Sequence, residues 1–499
     1  MKQRGLSGSV YSAGAVIYAT VALLAVGKLL TNALSPEAVG QVALVLLAGE
    51  LLGLLGGLGL PAALPKLLAA ADPDGQRTTL HRLFRFQGTL ALLIALGCVA
   101  LLFLRSWWPA TLQGMMPVLL LLPLLVIVVT LRDFLLAATA GCHAYKRRAQ
   151  TIVVSASLQV AFFAVLSFLG IESPFLFVGA YVVAAVGGLG AALGLFPRTL
   201  GLCDETAFPT GWFFVRKNHR RDTHHGASST YATERELPLS ALRFAAPLYV
   251  NNLMNFIFQR VDTLLIVAWL GLGSAAIYEM VKRLPNLLSR LLRAALVPYL
   301  PSLSELLRDK ESAQAGKLIQ QTILFAAFAG YAVTLLLIAL EEALLTTLFN
   351  ADYLEGTAAL GPLLIATCLA VQAGVMGQAL IALDRPKVVM VINFGLAATS
   401  LLLNLLLVPR FGLVGAGWSA VAAAGFSLLM QRLAVSRVGI PLPLESGVLL
   451  HVLFAAAVII NHTVASGMMA RMGVAVGFVA LCLALGAVKL ETPRQEPTS

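Results

Sequence analysis

The sequence predicts an all-α polytopic membrane protein of about fourteen transmembrane helices, arranged as two six-helix halves and a C-terminal pair. Three observations predict it. Only 12% of the 499 residues are charged and 59% are hydrophobic, against about 25% charged in ordinary soluble domains. Apolar segments long enough to span a bilayer, about 20 residues each, repeat along almost the whole chain. The basic residues between them fall nearly all on alternate loops, the pattern of a fixed orientation across a membrane.

The first segment, 10–34, follows Lys2 and Arg4 and contains Lys28. It is too long for a signal-peptide core of about 7–15 residues, so it reads as a retained helix. The next five segments are 38–62, 83–104, 116–141, 149–170 and 174–196. Residues 1–196 therefore form an N-terminal lobe. A polar stretch, 197–238, follows as a cytoplasmic linker. Within it Trp212, Phe213 and Phe214 stand beside Arg216 and Lys217, a composition that also suits the membrane surface. Segments 239–270, 275–300, 317–340, 357–383, 388–408 and 413–434 make the C-terminal lobe, 239–437. Residues 438–499 hold two last segments, 445–463 and 468–488, and a cytoplasmic tail.

Charge sets the orientation. With the N-terminus in the cytoplasm, 24 of the 35 Lys and Arg lie in cytoplasmic segments. Only Arg105, Arg410 and Arg471 lie outside, and the remaining 8 sit within helices. Both termini are thus expected in the cytoplasm, at the cell inner membrane. The net charge of +11 follows from this bias and calls for no nucleic-acid partner. The outer loop 341–356 carries Glu341, Glu342, Asp352 and Glu355 with no Lys or Arg, and Trp107 and Trp108 fit an outer aromatic belt.

The five cysteines form no CxxC pair and none lies in an outer loop, which argues against a disulfide framework or zinc site. His219, His224 and His225 sit in the linker, where a solvated loop accounts for them better than a metal. No metal or cofactor is expected. An internal repeat supports the two lobes. Leu60-Pro61 falls opposite Val297-Pro298 at an offset of 237, and Tyr145-Lys146 opposite Pro386-Lys387 at 241. Six helices precede the linker and six follow it before the final pair; six is even, so the halves share one orientation, as suits alternating access.

Segment 275–300 carries the clearest chemistry. Glu279, Lys282, Arg283, Asn286, Arg290 and Arg293 fall within an arc of about 100° and extend about 21 Å along a regular helix. Each arginine near a bilayer centre costs about 2.5–3.5 kcal/mol, so an aqueous cavity and an anion are implied. The planar guanidinium fork suits phosphate. Glu279 is placed to pair with Arg283 one turn on. In segment 239–270, Asn251, Asn255, Gln259 and Asp262 share one face, while Arg260 points away from Asp262 towards another helix or the cavity. Lys28, Glu50, Arg132 and Asp133 add charge to the first lobe, the last two pointing about 100° apart. Glu50 and Asp262 are candidate proton or sodium sites, with structural ion pairing as the alternative.

Short stretches in order carry a family resemblance: Leu34-Ser35-Pro36-Glu37-Ala38-Val39-Gly40, Gly57-Leu58-Gly59-Leu60-Pro61, Val261-Asp262-Thr263-Leu264-Leu265, Ala382-Leu383-Asp384-Arg385-Pro386-Lys387 and Val408-Pro409-Arg410-Phe411-Gly412. With them the chain resembles the O-antigen-type polysaccharide flippases of the MATE-like MOP superfamily. The resemblance implies two six-helix lobes around a cationic cavity and a polyprenyl-diphosphate-linked sugar as substrate, moved from the cytoplasmic to the outer leaflet. It implies that Arg283, Arg290 and Arg293 receive the diphosphate, with Lys282, Lys28, Arg132 and Arg260 as further cationic cavity residues. Glu50, Asp262, Glu279, Asp133, Asn255 and Gln259 would supply ion-coupling or polar positions, with H+, Na+ or the membrane potential as energy source. Polysaccharide assembly proteins are the implied partners. Lipid II flippases are the nearest alternative, but their full first-lobe arginine set is not matched here, where helix one carries Lys28 and helix two carries Glu50. A drug exporter fits the basic stripe poorly, and a membrane glycosyltransferase or polymerase lacks the long outer loops it needs. No HExxH, GxSxG or P-loop pattern points to an enzyme.

Overall fold

A computed structural model describes residues 2–69, 73–104, 113–142, 144–193, 236–296, 299–308, 312–383, 385–438, 445–465 and 467–485. Among them all regular structure is helical. Ten helices are long and apolar enough to cross a membrane, and two shorter apolar helices, 448–463 and 468–484, follow at the C-terminus. The chain is a multi-pass membrane protein. Two of the ten each carry two expected segments, which a glycine in non-helical conformation separates. Trp107, Trp108 and most of the expected linker, with Cys203, Trp212, Phe213, Phe214, Arg216, Lys217, His219, His224 and His225, lie outside the described residues. Among the described residues, Cys98, Cys142, Cys368 and Cys482 form no disulfide.

The chain divides into two compact units, Met1–Phe256 and Ile257–Ser499. Unit 1 contains α1 (Lys2–Ala33), α2 (Pro36–Gly57), α3 (Leu60–Ala69), α4 (Pro73–Phe103), the short α5 (Met116–Leu119), α6 (Leu122–Gly141), α7 (Tyr145–Phe168) and α8 (Pro174–Leu193). It also takes the first part of α9 (Glu236–Val281). The sequence places the start of the second lobe at 239, whereas the compact units divide after Phe256. The reason is packing: Ala241 and Ala245 of α9 join the buried cluster of Leu60, Leu64, Leu83 and Phe134. Ser35 caps α2, accepting from the Ala38 amide, with Pro36 at the first helical position and Glu37 in the first turn. Small residues let α2 approach α6, with Gly49 against Leu125 and Gly53 against Val129.

Unit 2 continues α9 and adds α10 (Arg283–Ala295), α11 (Tyr299–Arg308), α12 (Ser312–Ala339), α13 (Glu341–Leu348) and a 3-10 turn, Ala351–Gly356. Then follow α14 (Thr357–Ala382), α15 (Pro386–Arg437), α16 (Glu445–Thr463) and α17 (Met468–Ala484). α9 bends at Gly271 (φ 87°, ψ 179°) and α15 at Gly412 (φ 60°, ψ −138°), between the segments expected from sequence. Both are positive-φ conformations that glycine adopts without a Cβ penalty. The C-terminal pair docks on this unit through polar and aromatic contacts. Tyr331 of α12 stacks on Phe454 of α16 with centroids 3.9 Å apart. Gln372 of α14 donates to the Tyr331 hydroxyl at 3.1 Å, and its other amide atom meets His451 Nε2 at 3.2 Å.

Candidate functional site: a charge quartet beside an arginine face

The bend at Gly271 builds the site. Asp262 precedes it by nine residues, and Tyr278 and Lys282 follow it by seven and eleven. The two arms of α9 therefore bring these residues to a common level. Tyr278, fully buried, donates from its hydroxyl to Asp262 Oδ2 at 2.7 Å. The Thr263 amide donates to Asp262 Oδ1 at 2.8 Å, and the Thr263 hydroxyl donates to Glu279 Oε1.

Lys282 lies at the junction of α9 and α10 in helical conformation, and the Asn286 amide still bonds its carbonyl at 3.0 Å. Pro285, three residues into α10, has no amide to offer the preceding turn, which accounts for the junction. The Lys282 ammonium donates to the Gln259 carbonyl at 2.9 Å and to both Asp262 oxygens at 3.1 and 3.0 Å. It lies 3.7 Å from Glu279 Oε1. Arg260 closes the group, donating to Glu279 Oε2 at 3.2 Å. All four charged side chains are mostly buried, from 12% exposure at Asp262 to 29% at Arg260. Two cations face two carboxylates, so the quartet is balanced. Burial of such charges is tolerable because each is paired and hydrogen-bonded.

α10 continues from this quartet as an amphipathic helix. Leu284, Leu288 and Leu292 are buried on one face; Asn286, Arg290 and Arg293 are exposed on the other. Arg293 Nε donates to Ser289 Oγ at 3.2 Å. Arg283, Arg290 and Arg293 thus set three guanidinium groups along α10 next to the quartet.

The structure adds partners to two expected contacts. Glu279, expected to meet Arg283 one turn on, also has Arg260 and Lys282 as ion-pair partners. Arg260 points away from Asp262 as expected, but it reaches across the bend to Glu279. In unit 1, Arg132 and Asp133 form an ion pair despite their 100° divergence on a regular helix, because the long arginine side chain folds back. Arg132 also donates to Tyr181 Oη at 3.5 Å. Lys28 and Glu50 are exposed in unit 1, and Asn255 is half-buried near its end of α9. Tyr278, Thr263 and Tyr181 are site residues that charge patterns in the sequence do not reveal. A hairpin of α9 folded about Gly271 is the signal that pairs the first two with the carboxylates. Among the described residues, no group of three or more His, Cys, Asp or Glu converges as for a metal ion.

Residues 6–307 match the family model described as polysaccharide biosynthesis protein. No curated protein matches the sequence. Among solved structures, the lipid II flippase MurJ in an inward closed conformation aligns at a TM-score of 0.66 with 11% identity, over 95% of this chain and 98% of that one. An inward-facing multidrug resistance MATE family transporter of the MOP superfamily aligns at 0.65 with 13% identity, over 85% of this chain and 99% of the other. A MOP superfamily transporter from Pyrococcus furiosus aligns at 0.55 with 14% identity, over 86% and 95%. With a family model matched over more than half its length and this shared architecture, the chain belongs to the polysaccharide biosynthesis protein family and has the fold of MOP superfamily transporters.

Proposed function

We propose that the protein is a flippase, not an enzyme. It moves a polyprenyl-diphosphate-linked oligosaccharide from the cytoplasmic to the outer leaflet by alternating access, supplying cell-surface polysaccharide such as lipopolysaccharide. The carrying observation is the exposed α10 face of Asn286, Arg290 and Arg293, which continues from Arg283 and sets guanidinium groups along one helix. Guanidinium groups at membrane depth favour a phosphate-bearing ligand, which they grip bidentately. Lys28 adds a first-lobe cation, and α16 and α17 accommodate the lipid tail. Glu50 and the Asp262–Glu279 carboxylates respond to H+, Na+ or the membrane potential, which drives the cycle. The protein resides in the inner membrane with both termini cytoplasmic, beside polysaccharide assembly proteins.

The structural likeness to a lipid II flippase supports a second reading, in which the cargo is the peptidoglycan precursor. One experiment separates the two. The gene is deleted in its host, and lipid-linked sugars are identified by mass spectrometry with their leaflet resolved. Inner-leaflet accumulation of a polyprenyl-linked polysaccharide unit, with cell-wall precursor unchanged, is the expected result. Accumulation of lipid II selects the second reading. No change in either pool, with redundancy excluded, removes both.

A further inference from the structure

Unit 1 holds a separate charged cluster at membrane depth. Arg132 and Asp133 lie in α6, and Asp133 is eight residues, about 12 Å at 1.5 Å per residue, from the end of the helix. The Asp133 side chain is 48% exposed. Leu124, nine residues earlier, is also 48% exposed. Nine residues correspond to about 180° around the axis, so the two project from opposite faces of α6. An apolar residue on one side suits acyl chains. A half-exposed carboxylate on the other requires water or a polar ligand.

We propose that Arg132, Asp133 and Tyr181 form a subsite for the hydroxyl groups of a carbohydrate. The proposal rests on the flippase reading and deepens it by giving the carbohydrate part of the cargo a binding place within unit 1. Both Arg132 contacts with the carboxylate, from Nε and Nη2 at 3.1 Å each, fall on Asp133 Oδ1. Oδ2 takes part in neither and keeps its lone pairs for an incoming donor. Tyr181 Oη accepts from Arg132 Nη1 at 3.5 Å, so its own proton is directed elsewhere. One cluster therefore offers an acceptor and two kinds of donor with no net charge. That combination discriminates against a diphosphate, which Asp133 repels as Arg132 attracts it. It matches vicinal hydroxyls, which donate and accept at once. The Tyr181 ring adds an apolar surface for sugar C–H groups.

The test measures affinity of the purified full chain for two probes. One is bare polyprenyl diphosphate; the other is the polyprenyl-diphosphate oligosaccharide extracted from the host. The wild type is expected to prefer the sugar-bearing probe. Asp133→Asn and Tyr181→Phe should each weaken that probe, Asp133→Asn by about tenfold, as for loss of a hydrogen bond to a charged group. Neither should change affinity for the bare carrier, a split that misfolding does not produce. Arg290→Ala with Arg293→Ala should weaken both probes. Equal wild-type affinity for the two probes overturns the subsite, as does a parallel loss of both in Asp133→Asn and Tyr181→Phe, or no loss in either. Failure of the wild type to bind either probe removes the flippase reading and the subsite with it.

Discussion

Lys282 reaches Asp262 through both carboxylate oxygens, at 3.1 and 3.0 Å, although twenty residues and the bend at Gly271 separate them along the chain. The same ammonium takes the Gln259 carbonyl at 2.9 Å. Lys282 is thus a strut between the arms of α9 as well as a charge beside the arginine face.

Removing that strut should be costly. Lys282→Met takes from Asp262 its ammonium partner and from Glu279 one of its neighbouring cations. Breaking a largely buried pair from one side costs about 3 kcal/mol, since one charge stays behind without its partner. Asp262→Asn should be similarly harmful alone but should offset much of the loss in combination. A double-mutant cycle, read by thermal unfolding in a constant detergent, should return a coupling of about 1–3 kcal/mol. Strict additivity of the two substitutions would show that the contact contributes nothing.

The end of α2 offers a second test. Leu58 and Gly59 both have positive φ, 43° and 76°, and so stop the helix and turn the chain into α3. A Cβ on Gly59 would lie 2.7 Å from the Ala245 carbonyl and 2.9 Å from Tyr249 Cβ. Gly59→Ala should therefore destabilise unit 1 by at least about 1–2 kcal/mol from backbone strain alone, with the clash against α9 added. A melting temperature equal to the wild type would contradict this packing.

What the sequence makes legible depends on the physics of each contact. A bilayer demands long apolar helices, so the segments are legible, and their expected gaps coincide with Gly271 and Gly412. Charge at depth is also legible, because Arg290 or Asp262 stands out in any apolar run. Pairing is less so. Glu279 gains Arg260 as a partner because the bend brings a residue nineteen positions away within reach, and local periodicity contains no such information. The place where the compact units divide, after Phe256, has no local signal for a related reason. Ala241 and Ala245 carry no signal of their own, yet their small size lets α9 pack into the first unit.

The arginine face should be needed for transport and dispensable for insertion. Arg290 and Arg293 are exposed on α10, opposite its buried leucines, so replacing them with alanine leaves the packing face intact. Each charge-assisted hydrogen bond to phosphate contributes about 1.5–3 kcal/mol. The double variant should therefore lower apparent affinity for a diphosphate lipid at least about tenfold, with normal membrane levels. Binding assays on purified protein and quantification of protein in isolated membranes check the two halves. Full transport by the variant would remove the proposed role of these arginines.

Acidity should act at the other end of the second unit, where Arg471 of α17 donates to Glu341 of α13 at 2.9 Å. Glu341 lies between spans, and burial pushes its carboxyl above the ordinary value; Arg471 pulls it down by less, and Glu342 adds to the rise. The sign follows from proton linkage. With the folded value raised, the folded state binds more protons than the unfolded state just above the usual carboxylate range. The stabilisation from the bound proton is complete below the unfolded value and is lost as pH rises through the folded one. Melting temperature should consequently fall with rising pH across that window, and Glu341→Gln, which stays neutral, should flatten this part of the profile. Arg471→Ala removes the opposing charge and should move the same fall to higher pH. A profile identical in Glu341→Gln and the wild type would show that another group sets it.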